Sequence, residues 1–390
     1  MKTTTLIDLK NPASEMAQEE ILKQVAFLSS GISNPRFSFG GAVLEFDAPP
    51  EQADSLVGPA GDLAARVQRG LRNLQRKVLY RSPNADRPEF RHQGEIRGVR
   101  QLGPGQVALE GLPLRLFRYF DRVFEDFGRT WDANPVQTPT LIPSRTLAKC
   151  DYFRSFPNNV TFACHMLEEP DRVTDFRARH EHRDDLDHQS LEDMATPEAC
   201  LSPAVCYHIY SMNQGLVIPA KGLTFGASGK CFRYESSGMS GLRRLWDFTM
   251  REIVFLGSRE GVLRDRERSI GMMSRFLEDH RLAGEIRTAS DPFFVAPDAV
   301  AKTYFQLSSE TKYEISLMLP DEARLAVGSH NYHTDFFGRA FDSEVENAGP
   351  MHSACVAFGL ERWVYAFLMQ HGDDPSSWPE PVRSAPEMQR

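Results

Sequence analysis

Three short stretches of this chain combine residue types that ordinary packing does not require. In Cys231 to Gly257, CFRYESSGMSGLRRLWDFTMREIVFLG, Arg233 and Glu235 stand two apart and would share a strand face. Gly238 and Gly241 loosen a loop that ends in Arg243 and Arg244, and Asp247-Phe248 opens a return strand with Glu252 near its middle. A planar guanidinium on a sheet clamps phosphate through two hydrogen bonds, a carboxylate beside it accepts from an amine, and an aromatic ring stacks on a base. The pattern is that of an anionic-nucleotide site without a P-loop, although a salt-bridged hairpin presents the same residues.

The second stretch, Cys355-Val-Ala-Phe-Gly-Leu-Glu-Arg-Trp363, reads as a strand running through Gly359 into a helix whose first turn holds Glu361 and Arg362. Arginine there opposes the helix macrodipole, so its placement suggests a bound anion; a surface ion pair is the alternative. In the third, Ser329-His-Asn-Tyr-His-Thr-Asp335, the residues Ser329, Asn331, His333 and Asp335 alternate along one strand face. Four polar side chains in a row need a ligand or water, and an exposed sheet face satisfies them equally.

Apolar periodicity divides the elements that must carry these residues into a small N-terminal α/β module and a larger α+β body, with the junction at about Leu112. Ahead of the junction, Ala42 to Phe46 reads as a strand, Gln52 to Leu74 as a helix broken around Pro59 and Gly61, and Lys77 to Arg81 as a strand. Residues 1–35 are expected to be partly disordered. Arg66, Arg69, Arg72 and Arg76 recur at spacings of three and four, either as solvated charge or as a stripe for an acidic protein or RNA.

Beyond the junction, Leu114 to Phe127 is an amphipathic helix and Val136 to Ile142 is strand-like. Asp171 to Glu198 carries His180, His182 and His188 in a polar context that fits a surface loop better than a metal site. Strands follow at Lys230 to Glu235, Asp247 to Leu256, Tyr313 to Met318 and Ala326 to Phe336, with helices at Ser258 to His280 and Leu360 to Gln370 and a Pro/Ser-rich tail.

The 390 residues carry 53 acidic and 45 basic side chains, a net charge of −8 that gives no bulk attraction to nucleic acid. No window is long and apolar enough for a membrane span or a secretory signal, so a soluble, cytoplasmic protein is expected. Six scattered cysteines without a CxxC pair are buried thiols or ligands rather than a disulfide framework.

Taken together, FRYE, the glycine-containing loop, the Arg244-x-x-Asp-Phe step and the strand carrying Glu252 resemble motif 2 of the class II aminoacyl-tRNA synthetases. FGLERW resembles motif 3, and the Leu114 helix followed by a strand and Pro143 resembles motif 1. The order Cys-Tyr-His-Ile-Tyr (206–210), Arg-Tyr-Glu, Glu252, Asp-Pro-Phe-Phe (291–294), Ser-His-Asn-Tyr-His and Cys355 is similar to the zinc-dependent branch of that class. That branch holds the methanogen-type seryl-tRNA synthetases and the amino acid:[carrier protein] ligases. The resemblance covers about residues 112–372.

It implies an α+β fold with an antiparallel sheet flanked by helices, and a homodimer built on motif 1. It also implies zinc on Cys206, Glu252 and Cys355, with a fourth position open for a substrate amine; Cys200 is a rival ligand, and Cys150, Cys164, Cys200 and Cys231 read as buried thiols. ATP would lie with Arg233 at its α-phosphate, Arg362 and Arg244 at the outer phosphates and Phe248 on adenine, with Glu235 beside adenine or the amine and Glu361 among the nucleotide-binding residues. Magnesium would bridge the phosphates, and Ser329 and Asn331 would face a small amino acid. Two departures stand out: Ala326 replaces the usual magnesium-binding carboxylate, and Ala357 replaces the first glycine of motif 3.

The implied activity is formation of an aminoacyl-adenylate and transfer to the phosphopantetheine thiol of an acyl or peptidyl carrier protein. Transfer to tRNA is the first alternative, and a non-catalytic binding paralogue the second. About 111 residues precede the catalytic body, fewer than a full tRNA-binding domain but more than the usual ligase has, and the acidic charge disfavours tRNA. The expected organisation is an N-terminal module (1–111) that is a candidate for binding a partner, a catalytic domain (112–372) and a tail (373–390).

Overall fold

The structure, a computed structural model, describes residues 2–389 except 93, 184, 187, 236–238, 240, 294–297 and 322. Gly238 of the expected loop and Phe294 of Asp-Pro-Phe-Phe lie outside the described residues.

The N-terminal module is built from β1 (Thr3–Asp8), α1 (Glu15–Val25), β2 (Ser33–Ser38), β3 (Val43–Ala48) and α2 (Pro50–Leu71). Its three strands pair antiparallel in the order β1-β3-β2, and Ile7, Ile21, Val25, Leu44, Phe46, Leu63 and Val67 close a core that Leu307 from the later part of the chain also enters. The expected disorder of residues 1–35 is therefore corrected: short strands and an 11-residue helix capped by Ser14 fill that segment. The expected break in α2 is also absent. Pro59 sits on the solvent side, so its missing N–H leaves a carbonyl that water can satisfy, while Leu56, Ala60, Leu63, Ala64, Val67 and Leu71 hold the helix to its sheet.

The body is an eight-stranded sheet. In chain order its elements are β4 (Val78–Arg81), α3 (Gly111–Arg129), β5 (Asn134–Gln137), α4 (Cys206–Met212), β6 (Leu223–Phe232) and β7 (Asp247–Gly257). Then come α5 (Arg259–Asp279), β8 (Gly284–Thr288), α6 (Ala299–Ser308), β9 (Lys312–Met318), β10 (Arg324–Tyr332), β11 (His352–Gly359) and α7 (Leu360–His371). The order is β4-β8-β9-β10-β11-β7-β6-β5, antiparallel except for the β5–β6 pair. The strand expected at Lys77–Arg81 thus lies at the edge of this sheet, outside the N-terminal core.

Helices α3, α5 and α7 cover one face. Phe120, Phe124, Phe276, Phe358, Trp363 and Phe367 interlock there, with the Phe124 and Phe358 rings stacked at 3.9 Å. Each such buried ring contributes about 1.5–3 kcal/mol, so this side fixes the sheet and leaves the other to carry the site. Residues 373–390 are no loose tail: Trp378 and Val382 are fully buried against the same core.

Three strand ends differ from expectation for local reasons. The segment expected at Val136–Ile142 is two short strands, Asn134–Gln137 and Leu141–Pro143. Strand β6 ends at Phe232 rather than Glu235, because the Tyr234 N–H leaves the ladder for the Asn159 carbonyl at 3.2 Å. Strand β10 ends at Tyr332 rather than Phe336, because Thr334 turns the chain with φ 54°.

Candidate functional site

Cys206 is the first residue of α4, Glu252 lies mid-strand on β7, and Cys355 lies on β11 beside it. Their ligating atoms all lie within 4.8 Å of one another, the only such metal-capable group among the described residues. The three residues are 5, 1 and 2% exposed, which separates them from the solvated acidic clusters common on surfaces. Glu252 Oε1 accepts the Val205 N–H at 2.9 Å, which aims the carboxylate at the neighbouring α4 cysteine. Two sulfurs and a carboxylate oxygen are a donor set suited to zinc.

Charge is strained in this pocket. Burial and the Cys355 thiolate push Glu252 up to about 7. The hydrogen bond to Cys355, then burial, raise Cys206, and that same bond from Cys206, with help from His333 and Asn331, holds Cys355 well below the usual thiol range. Crowded acceptors of this kind are relieved by a cation.

Ser329 and Asn331, expected to face a small amino acid, sit on the same face. Ser329 pairs across β10–β11 with Ala357, which pairs with Glu252; Asn331 pairs with Cys355. Asn331 Nδ2 donates to Ser329 Oγ at 2.9 Å and to Cys355 Sγ at 3.4 Å. His333, one residue past the strand, still reaches the site, with Nε2 4.0 Å from Cys355 Sγ. Asp335 does not; it pairs with Arg339 on the following turn.

Arg233 leaves the end of β6 and anchors Nε on the Pro203 carbonyl at 3.0 Å, with its guanidinium 5.4 Å from the Phe248 ring. Glu235 and Arg244 form an ion pair at 3.0 Å. Arg362 donates to the carbonyls of Arg243 at 2.8 Å and Ala326 at 2.9 Å, which ties α7 to the loop after β6 and to β10. Glu361 has a different place from its neighbour: it is buried, and its carboxylate accepts the Thr249 N–H at 2.9–3.0 Å and Thr249 Oγ1 at 2.9 Å.

Sequence reading passed over Lys312 and Glu314, which pair with Asn331 and Ser329 and therefore share their face. Lys312 bridges to Asp291 and, at 3.6 Å, to Glu314. The available signal was the Lys-x-Glu alternation at the start of β9. Cys200 lies outside the metal-capable group, 3.8 Å from Ser144 Oγ in a separate apolar cluster, and Cys164 is exposed rather than buried. His180 bonds to Ser190 at 3.1 Å, and none of His180, His182 or His188 joins a metal-capable group among the described residues.

No family model matches the chain. It is 36% identical over 253 residues to amino acid–[acyl-carrier-protein] ligase 2 of Bradyrhizobium diazoefficiens, spanning 64% of this chain and 73% of that protein. Ligase 1 of the same organism is 32% identical over 251 residues, 64% of this chain and 74% of the relative. The type-2 serine–tRNA ligase of Methanopyrus kandleri is 27% identical over 276 residues, covering 67% of this chain but only 52% of the relative. Among solved structures, M. kandleri SerRS in complex with A. aeolicus tRNASec superposes with a TM-score of 0.69 at 22% identity, over 97% of this chain and 76% of that one. Giardia lamblia prolyl-tRNA synthetase follows at 0.54 and 15%, over 73% and 53%. The fold is that of the class II aminoacyl-tRNA synthetases, and the chain belongs to the amino acid–[acyl-carrier-protein] ligase family.

Proposed function

We propose that this protein activates a small amino acid with ATP and transfers it to the phosphopantetheine thiol of a carrier protein. The observation that carries the reading is that Cys206, at the start of α4, meets Glu252 and Cys355 on the sheet face that also holds Ser329 and Asn331. Cys206, Glu252 and Cys355 would hold a zinc ion, which supplies an open coordination position for the substrate's amino group.

Ser329 and Asn331 orient the amino acid so that its carboxylate oxygen faces the α-phosphorus of ATP. That oxygen forms the new P–O bond, the bond to the bridging oxygen of the β-phosphate breaks, and pyrophosphate leaves. Arg233 neutralises charge at the α-phosphate, and Arg362 with Arg244 takes the outer phosphates once Arg244 exchanges Glu235 for them. Phe248 stacks on the adenine ring, with Glu235 beside it. Glu361 acts through Thr249, holding the start of β7 in place rather than touching nucleotide. The carrier thiol then attacks the acyl carbon, AMP departs, and the thiol proton passes to solvent.

The residues present do not fit the usual magnesium ligand set. Ala326 has no side-chain oxygen and its carbonyl already accepts from Arg362. Residues 112–372 would form the catalytic domain and residues 1–111 the added module, with 373–390 packed against the catalytic core. A twofold partner would join through the motif 1 segment that begins with the Leu114 helix, α3, giving a homodimer. No helix among the described residues is long and apolar enough to cross a membrane, in keeping with a cytoplasmic enzyme.

The test is amino-acid-dependent exchange of pyrophosphate into ATP, followed by loading of a carrier with and without its phosphopantetheine arm. Exchange with a small amino acid and loading of the modified carrier alone is the expected result. Steeply salt-dependent RNA binding with tRNA charging would move the chain to the synthetase side, and neither activity would leave a binding paralogue.

A further inference from the structure

Behind the three metal-ligating residues lies a second pair, Tyr210 and His333, that the reaction as described does not use. Tyr210 follows Cys206 by four residues, one turn along α4 on the same helix face, and is fully buried. Its hydroxyl lies 3.2 Å from His333 Nδ1, and Ser353 Oγ lies 3.4 Å from the same nitrogen. The opposite ring nitrogen, Nε2, faces Cys355 Sγ at 4.0 Å, a separation lengthened by the size of sulfur. Phe337 fixes the pair, stacking on Tyr210 at 3.9 Å and meeting the His333 ring edge-on at 5.1 Å.

The tautomer follows from what each neighbour can offer. A thiolate has only lone pairs to give, so the imidazole serves it only with the proton on Nε2. A neutral ring protonated there presents a lone pair at Nδ1, and both hydroxyls at that nitrogen are able to donate to it. Cys355 sulfur also accepts from Asn331 Nδ2 at 3.4 Å.

We propose that Tyr210 and His333 are positioning residues of the metal site: Tyr210 selects the His333 tautomer, and His333, with Asn331, orients the Cys355 sulfur as a thiolate ligand. The helix that provides one cysteine ligand thereby also aligns the residue that serves the other. This rests on the zinc reading above.

The test uses the full-length protein and the variants Tyr210→Phe, His333→Phe and His333→Gln. Zinc affinity is measured by competition with a chromogenic chelator, and the thiolate-to-metal charge-transfer band is recorded after cobalt(II) loading. Tyr210→Phe and His333→Phe are expected to weaken zinc about 10- to 100-fold and to shift the cobalt band. His333→Gln, whose amide can still donate to sulfur, is expected to recover part of the loss. Thermal midpoints of the zinc-free proteins separate this from misfolding, and if His333→Phe fails to fold, the two conservative variants carry the test. Affinities within twofold of the parent with an unchanged cobalt band would overturn the proposal alone. A parent protein that binds no zinc would overturn the metal reading and this proposal with it.

Discussion

Arg362 Nη1 donates to the carbonyl of Ala326 at 2.9 Å, while its Nε donates to the carbonyl of Arg243 at 2.8 Å. The position that lacks a side-chain carboxylate therefore still takes part in the site, through its backbone, by holding the arginine assigned to the outer phosphates. Two donors in fixed fork geometry do this, and a lysine ammonium cannot reproduce them. Arg362→Lys is expected to lower the rate of pyrophosphate exchange by about 100-fold or more, the scale of losing one preorganised electrostatic contact. An exchange rate within threefold of the parent would remove Arg362 from the phosphate site.

Metal removal separates the ligands from their rivals. Cys355→Ser and Glu252→Gln are expected to abolish zinc retention and amino acid activation together, since each takes one of only three buried protein donors. Cys200→Ser leaves both in place, because Cys200 lies in a different cluster against Ser144. Zinc content by atomic absorption beside exchange activity checks this. Activation that survives in metal-free protein would sink the zinc assignment.

Part of the candidate site was legible because its residue types are ones that ordinary packing does not require. Arg233, Phe248, Glu252 and Arg362 stood out on that ground, and β7 and α7 lie close to where the alternation of apolar strands and helices put them, with α5 read as a charged helix. What spacing alone could not supply depended on long-range geometry. The Cys206, Glu252 and Cys355 set came from the family resemblance, since the three are separated by 46 and 103 residues and meet only because β7 and β11 are neighbours and α4 packs over them. Arg233 and Glu235 were placed on a strand, yet the chain peels away at Tyr234 toward Asn159, a backbone acceptor no local pattern could announce. Residues 1–35 looked structureless because each of their elements is short and adds only a few apolar side chains to a shared core.

Acid sensitivity has an identifiable source in three buried histidines. Burial lowers His280 and His371 to about 4, and His330 to about 3, from 6.5. As pH falls through 6.5 the unfolded chain takes up protons that the native chain refuses, so stability drops until the native values are reached. At pH 5 each of these residues costs about 2 kcal/mol. The urea midpoint should therefore fall steeply between pH 7 and pH 5. His371→Gln keeps a donor for the His280 carbonyl, 3.0 Å away, and should flatten that slope; an unchanged slope would place the acid sensitivity elsewhere.

The arginine stripe of the N-terminal module splits in two once folded. Arg76 lies beyond the end of α2 and bridges to Glu19 and to the buried Glu20, and its guanidinium reaches the Thr288 carbonyl at 2.6 Å. It ties the module to the catalytic sheet beside β8. Arg76→Ala removes one of two cations on the buried Glu20, which keeps Lys23 at 2.9 Å and the Ser290 hydroxyl, and should destabilise by about 1–2 kcal/mol, read from urea unfolding. Arg69 and Arg72 remain exposed, and single alanine variants should stay within about 0.5 kcal/mol. Their free charge suits an acidic carrier surface, where rim charges govern encounter more than chemistry. The double variant Arg69→Glu, Arg72→Glu should raise the KM for the modified carrier severalfold, most at low salt, and leave pyrophosphate exchange unchanged. Loading kinetics equal to the parent would mean that the carrier docks elsewhere, whereas a matching fall in exchange would make the module a support of catalysis.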